Sequence, residues 1–251
     1  MGLRKDKMIM TKSNGKVALI TGADRGIGFE TAKELGFKGF TVLIGSRNKE
    51  RGQKAVSKLK GLDINADTLQ IDVTKRTTIQ NARDQIDKTY HKLDVLVNNA
   101  GIALADDMLP SNVSDEVLRK TFDTNFFGSF AVTQIMLPLI KKSAAGRIVS
   151  LSSSVGSLDW QSHPIEGAPI NPAYAASKNG VNALTVMFAR ELANTNIKVN
   201  AADPGWTATD LNGFNAPRSV EEGAKIVIKL ATLPDDGPSG QFVSESGTVN
   251  W

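Results

Sequence analysis

Seven short runs rich in Val, Ile and Leu recur along the chain, separated by longer stretches with helical spacing. No other feature constrains the fold as strongly. The runs are Lys16–Thr21, Phe40–Ile44, Thr68–Ile71, Leu93–Val97, Arg147–Leu151, Ile197–Ala202 and Gly240–Val243. They show little polar alternation, as expected of strands buried on both faces. Helical patterns cover Ile27–Lys38, Lys49–Lys60, Thr77–Tyr90, Asp115–Lys142, Pro172–Asn194 and Ser219–Thr232. This rhythm predicts an α/β fold: a doubly wound sheet of about seven parallel strands with helices on both faces. No linker or repeat divides the pattern, and 251 residues suit one large core. Residues 13–251 are therefore expected to form one domain, with residues 1–12 a flexible tail. Val155–Asn171 and Trp206–Arg218 are rich in Gly, Pro and Asn and predict loops. Both follow strands, and open α/β sheets bind ligands at the carboxyl ends of their strands.

Composition removes several function classes. The chain has no Cys and two His, which argues against disulfides and metal clusters. No apolar run approaches the ~18 residues of a membrane span. The net charge is +4, and the basic residues are scattered. No basic stripe interleaved with aromatics marks a nucleic-acid surface. A cytoplasmic protein with a small-molecule substrate, and with neither membrane nor nucleic-acid partner, is the expectation.

Thr21-Gly22-Ala23-Asp24-Arg25-Gly26-Ile27-Gly28 follows the first run and opens a helical pattern. Gly22 permits the turn, Gly26 lets the backbone approach a pyrophosphate, and Gly28 allows helix and strand to pack closely. The helix N-terminus then faces the phosphates. A turn that binds nothing is the bland reading, and the strand–turn–helix context favours the dinucleotide and a Rossmann-type sheet. The second run continues Gly45-Ser46-Arg47. An acidic residue there would bind the ribose 2′-hydroxyl of NAD. Its absence, with Arg47 and Arg25 nearby, points to the 2′-phosphate of NADP(H). A solvated Arg47 is the alternative. Asp72 has two readings, an adenine contact or a brace for the following helix.

Tyr174 and Lys178 lie four apart, on one face of a helix. An ammonium beside a phenol favours the phenolate and predicts a lowered Tyr pKa, as a general acid–base near neutral pH needs. Ser152, Ser153 and Ser154 follow the fifth run. They can cap or bridge a turn. No Gly-x-Ser-x-Gly elbow supports a hydrolase. Asn125 sits in an apolar helical pattern, where an amide is costly unless bonded. Asn98-Asn99-Ala100-Gly101 ends the fourth run as a turn beside the expected crevice.

Taken in order, Thr21-Gly-x-x-x-Gly-Ile-Gly28, Asn98-Asn-Ala-Gly101, Asn125, the Ser cluster, Tyr174-x-x-x-Lys178 and Pro204-Gly205 resemble the short-chain dehydrogenases/reductases. The resemblance runs from about Lys16 to the end of the chain. Leu93–Gly101, Thr124–Gly128, Pro204-Gly-Trp206, Ser219–Ala224 and Gly240–Glu245 look most like the NADPH-dependent carbonyl reductases of that family. It implies that Tyr174 gives a proton to a carbonyl oxygen held by Ser153. Lys178 would lower the Tyr pKa and bind the nicotinamide ribose, and Asn125 would anchor a water leading to solvent. Asn98 would line the cofactor cleft and Thr209 would contact the carboxamide. Asp72, Val73, Ile27, Ala100, Gly101, Pro204, Gly205 and Thr207 complete the expected cofactor contacts. Trp206 would wall the substrate pocket, the alternative being an anchor under its own loop. Ser153 and Tyr174 are further apart than in the family's short form and closer than in its monomeric members. Monomer and homo-oligomer therefore both stay open. Rival functions are an alcohol dehydrogenase, a biosynthetic ketoreductase, or a non-catalytic NADP-binding redox sensor.

Overall fold

The computed structural model describes residues 13–168 and 170–251, so the expected tail of residues 1–12 lies outside the described residues. Among the described residues, eight strands form one sheet: β1 Val17–Thr21, β2 Thr41–Ser46, β3 Ala66–Gln70, β4 Val95–Asn98, β5 Arg147–Leu151, β6 Lys198–Ala202, β7 Phe242–Ser244 and β8 Gly247–Thr248. Their order is β3-β2-β1-β4-β5-β6-β7-β8. Seven strands run parallel, and the two-residue β8 pairs antiparallel with β7. The observed bounds differ from the apolar runs by one or two residues at most ends.

Among the described residues, eight α-helices surround the sheet: α1 Gly26–Phe37, α2 Lys49–Lys60, α3 Arg76–Tyr90, α4 Asp115–Phe122, α5 Gly128–Ile140, α6 Leu158–Ser162, α7 Pro172–Glu191 and α8 Val220–Ala231. Strand periodicity divides the core. On β1, Ala18 and Ile20 join Leu35 of α1, Val56 of α2 and Val227 of α8 in one apolar layer. Val17 and Leu19 turn the other way, toward Ile79 of α3 and Met136 of α5. Every residue of β1 is buried. Burial of one large aliphatic side chain stabilises by about 1.5–3 kcal/mol, so a strand buried on both faces is held firmly.

Two helical expectations need correction. The Asp115–Lys142 pattern is broken by a π-helical turn, Asp123–Phe127, between α4 and α5. Such wide turns recur at functional sites. The Val155–Asn171 loop contains α6, whose N-terminus is capped by the Ser157 hydroxyl accepting from Trp160 N at 3.0 Å.

The chain leaves β1 toward β2 on one side and later returns to β4 on the other. Between β1 and β4 the helices diverge to opposite faces, which makes this the switch point where open α/β sheets bind ligands at the carboxyl ends of their strands.

Candidate active site

The glycine-rich turn links β1 to α1. Gly22 and Gly26 have φ of 63° and 58°, the left-handed region that glycine adopts freely. A Cβ on Gly28 would lie 2.4 Å from Asn99 Nδ2, so only glycine fits there. Asn99, which sequence reasoning did not single out, braces this turn. Its side-chain amide donates to Thr21 O at 2.8 Å and Gly22 O at 3.0 Å. Thr21 Oγ1 accepts from Asn99 N and Ala100 N at 3.0 and 3.1 Å. Ile27 packs its side chain on the core, fixing the start of α1.

The N-terminus of α1 has no side-chain cap and no acidic residue in its first turn. Its free N–H groups and the helix dipole suit an anion, so the residues present fit a dinucleotide pyrophosphate. Arg47, just past β2, is exposed and has no ion-pair partner among the described residues. Arg25 is engaged: it pairs with Asp210 at 3.1 Å, tying the glycine turn to the loop after β6. Arg51 lies 3.0 Å from Asp24 of the same turn.

Asp72 braces its own turn by accepting from Thr74 N at 3.1 Å and Thr74 Oγ1 at 2.7 Å. Burial opposes its ionisation, but those bonds and the charges of Lys75 and Arg47 prevail and hold the carboxyl below the usual range. Val73 is buried where α5 begins, since a Cβ on Gly128 would meet its Cγ2 at 2.8 Å. Asn98 points inward: Nδ2 donates to Thr133 Oγ1 at 2.8 Å and Ser150 Oγ at 3.2 Å.

Asn125 occupies the π-helical turn and is buried. Its Oδ1 accepts from Ile102 N at 2.8 Å, and its Nδ2 donates to Ile102 O at 2.9 Å and Ser177 Oγ at 3.0 Å. A Cβ on Gly101 would stand 3.4 Å from Asn125 Oδ1 and 3.5 Å from Lys178 Nζ, so Gly101 separates these two groups.

Tyr174 and Lys178 project from the first turns of α7. The Lys178 ammonium is buried, donates to Leu151 O at 2.8 Å and lies 5.5 Å from the Tyr174 ring centroid. Burial pushes its pKa down to about 8. Tyr174 contradicts the sequence expectation of a lowered pKa. Burial pushes its phenol up to about 12, the charge of Asp203 adds to this, and a hydrogen bond with Ser153 only partly opposes it. Tyr174 thus holds its proton at neutral pH. Ser153 is half-buried beside it, while Ser152 is buried and donates to Lys178 O at 3.3 Å.

Past β6, Pro204 and Gly205 turn the chain, with Gly205 at φ 71°. Asp203 accepts from Gly205 N at 2.9 Å, and burial holds its carboxyl above the usual range. Thr207 is buried, and its hydroxyl donates within this loop to Pro204 O at 3.1 Å. Thr209 lies nearer the crevice. A Cβ on Gly26 would meet its Cγ2 at 3.7 Å, while its hydroxyl caps the 3-10 turn Asp210–Asn212. Trp206 is 63% exposed, which does not fit an anchor packed under its loop. Phe214 and Leu211 of the same loop are also exposed.

A parallel sheet with a glycine turn at its switch point defines a dinucleotide-binding α/β protein. The Tyr–Lys pair and the Ser beside it stand at the same edge. The short chain dehydrogenase family profile matches residues 16–219, and the chain belongs to that family. It is 38% identical over 282 residues to carbonyl reductase (NADPH) 1 of Mus musculus, covering 95% of this chain and 99% of the relative. Carbonyl reductase (NADPH) 3 of Rattus norvegicus is 36% identical over 282 residues, with the same coverage. The matched length exceeds this chain's 251 residues, so these relatives carry insertions it lacks. Salutaridine reductase from Papaver somniferum superposes with a TM-score of 0.80 at 29% identity, over 90% of this chain and 99% of that one. An actinorhodin polyketide ketoreductase with NADPH gives 0.81 at 28% identity, over 94% and 98%. The chain is thus an oxidoreductase by family. None of its described helices is long and apolar enough to cross a membrane.

Proposed function

We propose that this protein reduces ketones or aldehydes with an apolar substituent to alcohols, using NADPH, with Tyr174 as the proton donor. The carrying observation is the placement of Tyr174, Lys178 and Ser153 together at the carboxyl edge of β5, beside the glycine turn. Bound NADPH would supply a hydride to the carbonyl carbon. The start of α1 and Gly22, Gly26 and Gly28 hold the pyrophosphate. Arg47 meets the 2′-phosphate, and Arg25 joins it by exchanging Asp210 for that anion. Asp72 and Val73 border the adenine. Ser153 donates to the carbonyl oxygen and polarises it. Tyr174 carries its proton at Oη and delivers it to the same oxygen as negative charge develops there. Lys178, charged at neutral pH, stabilises the resulting phenolate and holds the ribose. Trp206 covers the apolar part of the substrate. The names of the carbonyl reductase relatives support both the cofactor and the reaction class.

The test is loss of NADPH absorbance with a panel of ketones and aldehydes. The unaltered protein should turn over several of them. Tyr174→Phe keeps the ring, so it should bind NADPH while kcat falls by about 100-fold or more. NADPH binding with no turnover of any carbonyl would favour a non-catalytic sensor instead.

A further inference from the structure

The first turn of α7 is completed by a residue distant in sequence. Pro172, the first helical residue, has no N–H, and the donors of Ala173 and Tyr174 lack partners within the helix. The residue before the helix, Asn171, makes no side-chain capping bond. Both donors are taken by one carboxylate, Asp107. Ala173 N donates to Oδ1 at 2.9 Å and Tyr174 N to Oδ2 at 2.7 Å. Asn171 Nδ2 adds a bond to the Asp107 backbone carbonyl at 2.9 Å. Asp107 is 3% exposed, so water competes little for either oxygen. Two N–H groups, aligned with the positive end of the helix dipole, compensate the buried charge.

A cap ordinarily comes from the adjoining residue. A cap from 66 to 67 residues upstream does something more: it joins two elements. Asp107 lies within the segment of residues 99–114 that joins β4 to α4. The start of that segment is gripped at Ile102 by Asn125, whose amide also reaches Ser177 of α7. Ser177 Oγ in turn donates to Tyr174 O at 2.7 Å. The stretch Ile102–Asp107 is therefore tied to α7 at both of its ends.

We propose that Asp107 is a positioning residue for the reaction, its carboxylate fixing the height of α7, and hence of the Tyr174 phenol, relative to the substrate carbonyl. This rests on the reading of Tyr174 as proton donor. A misplacement of about 1 Å in such a site can lower the rate on the order of 100-fold, so the tie matters beyond its share of stability.

The experiment compares the unaltered protein, Asp107→Ala, Asp107→Asn, Asn171→Ser and the double variant Asp107→Ala with Asn171→Ser. Serine at 171 supplies a local cap without the link to β4. Melting temperature, kcat, KM for NADPH and the solvent deuterium isotope effect on kcat are read for each. Asp107→Ala should lower kcat by at least about tenfold, with KM for NADPH little changed and a larger isotope effect as proton transfer becomes limiting. The double variant should regain melting temperature but not kcat. Asp107→Asn keeps one acceptor and should lie between. If Asp107→Ala does not fold, Asp107→Asn alone must show the lowered kcat and raised isotope effect. Recovery of kcat together with melting temperature in the double variant would overturn the proposal, leaving Asp107 a stabilising cap. So would unchanged kcat in both Asp107 variants while Tyr174→Phe is inactive. An active Tyr174→Phe would instead overturn the assignment of the proton donor.

Discussion

Burial moves the pKa values of Tyr174 and Lys178 of α7 in opposite directions, and both movements favour the uncharged form. Tyr174 rises to about 12 and keeps the proton that a carbonyl reduction consumes. Lys178 falls from 10.5 to about 8, close to the pH at which the protein would work. The sign of the linkage follows. Between about pH 8 and 10.5 the unfolded chain holds a lysine proton that the folded chain has shed, so stability rises with pH across that window. The cost of the charged, buried ammonium is fully present below pH 8. The Tyr174 contribution is constant up to about pH 10 and is lost only as pH rises toward 12. Relative to Lys178→Met, the unaltered protein should gain about 2–3 kcal/mol of unfolding free energy between pH 8 and pH 10. Denaturant titrations of the two proteins at several pH values measure this, and parallel curves would mean that Lys178 is not desolvated. Trp206 calls for a different comparison. Its exposure predicts that Trp206→Ala reorders the ranking of bulky and small ketones while the melting temperature changes little. A marked fall in melting temperature with an unchanged ranking would remove it from the pocket.

At the scale of elements, the site depends on how closely the turn after β5 approaches α7. That turn is the 3-10 segment Ser154–Gly156. A Cβ on Gly156 would lie 2.7 Å from Lys178 Cβ and 2.8 Å from its carbonyl carbon. The backbone of a helix cannot yield by that amount without moving. Gly156→Ala should therefore destabilise by about 1–3 kcal/mol and displace Ser153 from Tyr174, lowering kcat more than KM for NADPH. Calorimetry and steady-state kinetics on the one variant check both, and an unaltered kcat would show that the turn can retreat. These contacts also explain what the sequence could and could not reveal. The strands were legible because Val, Ile and Leu buried on both faces leave an unbroken apolar run, as in VALIT of β1. The Tyr–Lys pair was legible because its spacing is local. The π-helical turn was not: Asp-Thr-Asn-Phe-Phe suits an ordinary helix, and what accompanies the wider turn is Asn125 reaching Ile102, 23 residues away. Helix α6, five residues long, was lost among Gly and Pro. Asp107 left no local signal at all, since its partners lie in another element. The pKa of Tyr174 was misread because burial, a tertiary property, is its largest cause and leaves no mark in the local sequence.

On the whole-molecule scale, the proposed dinucleotide site draws on β1, β2, β4, β5 and β6, so one ligand would join elements from both halves of the sheet. A ligand that binds only the folded chain raises its stability by mass action. At 100 times its Kd, NADPH should add about 2.7 kcal/mol. For a chain of this size that corresponds to a rise in melting temperature of roughly 5–10 °C. NADH presents no 2′-phosphate to Arg47. Losing such a charge-assisted contact costs about 1.5–3 kcal/mol, so at the same concentration NADH should shift the melting temperature only slightly. Arg47 is the sharper probe of the two arginines, because Arg25 already has Asp210 as a partner. Arg47→Asp should shrink the NADPH shift to that of NADH and leave the melting temperature of the free protein nearly unchanged, as befits an exposed side chain. Thermal unfolding with each dinucleotide, on both proteins, makes the comparison without requiring any substrate. Equal shifts by NADPH and NADH in the unaltered protein would show that Arg47 is a solvated surface residue and that the cofactor is chosen elsewhere.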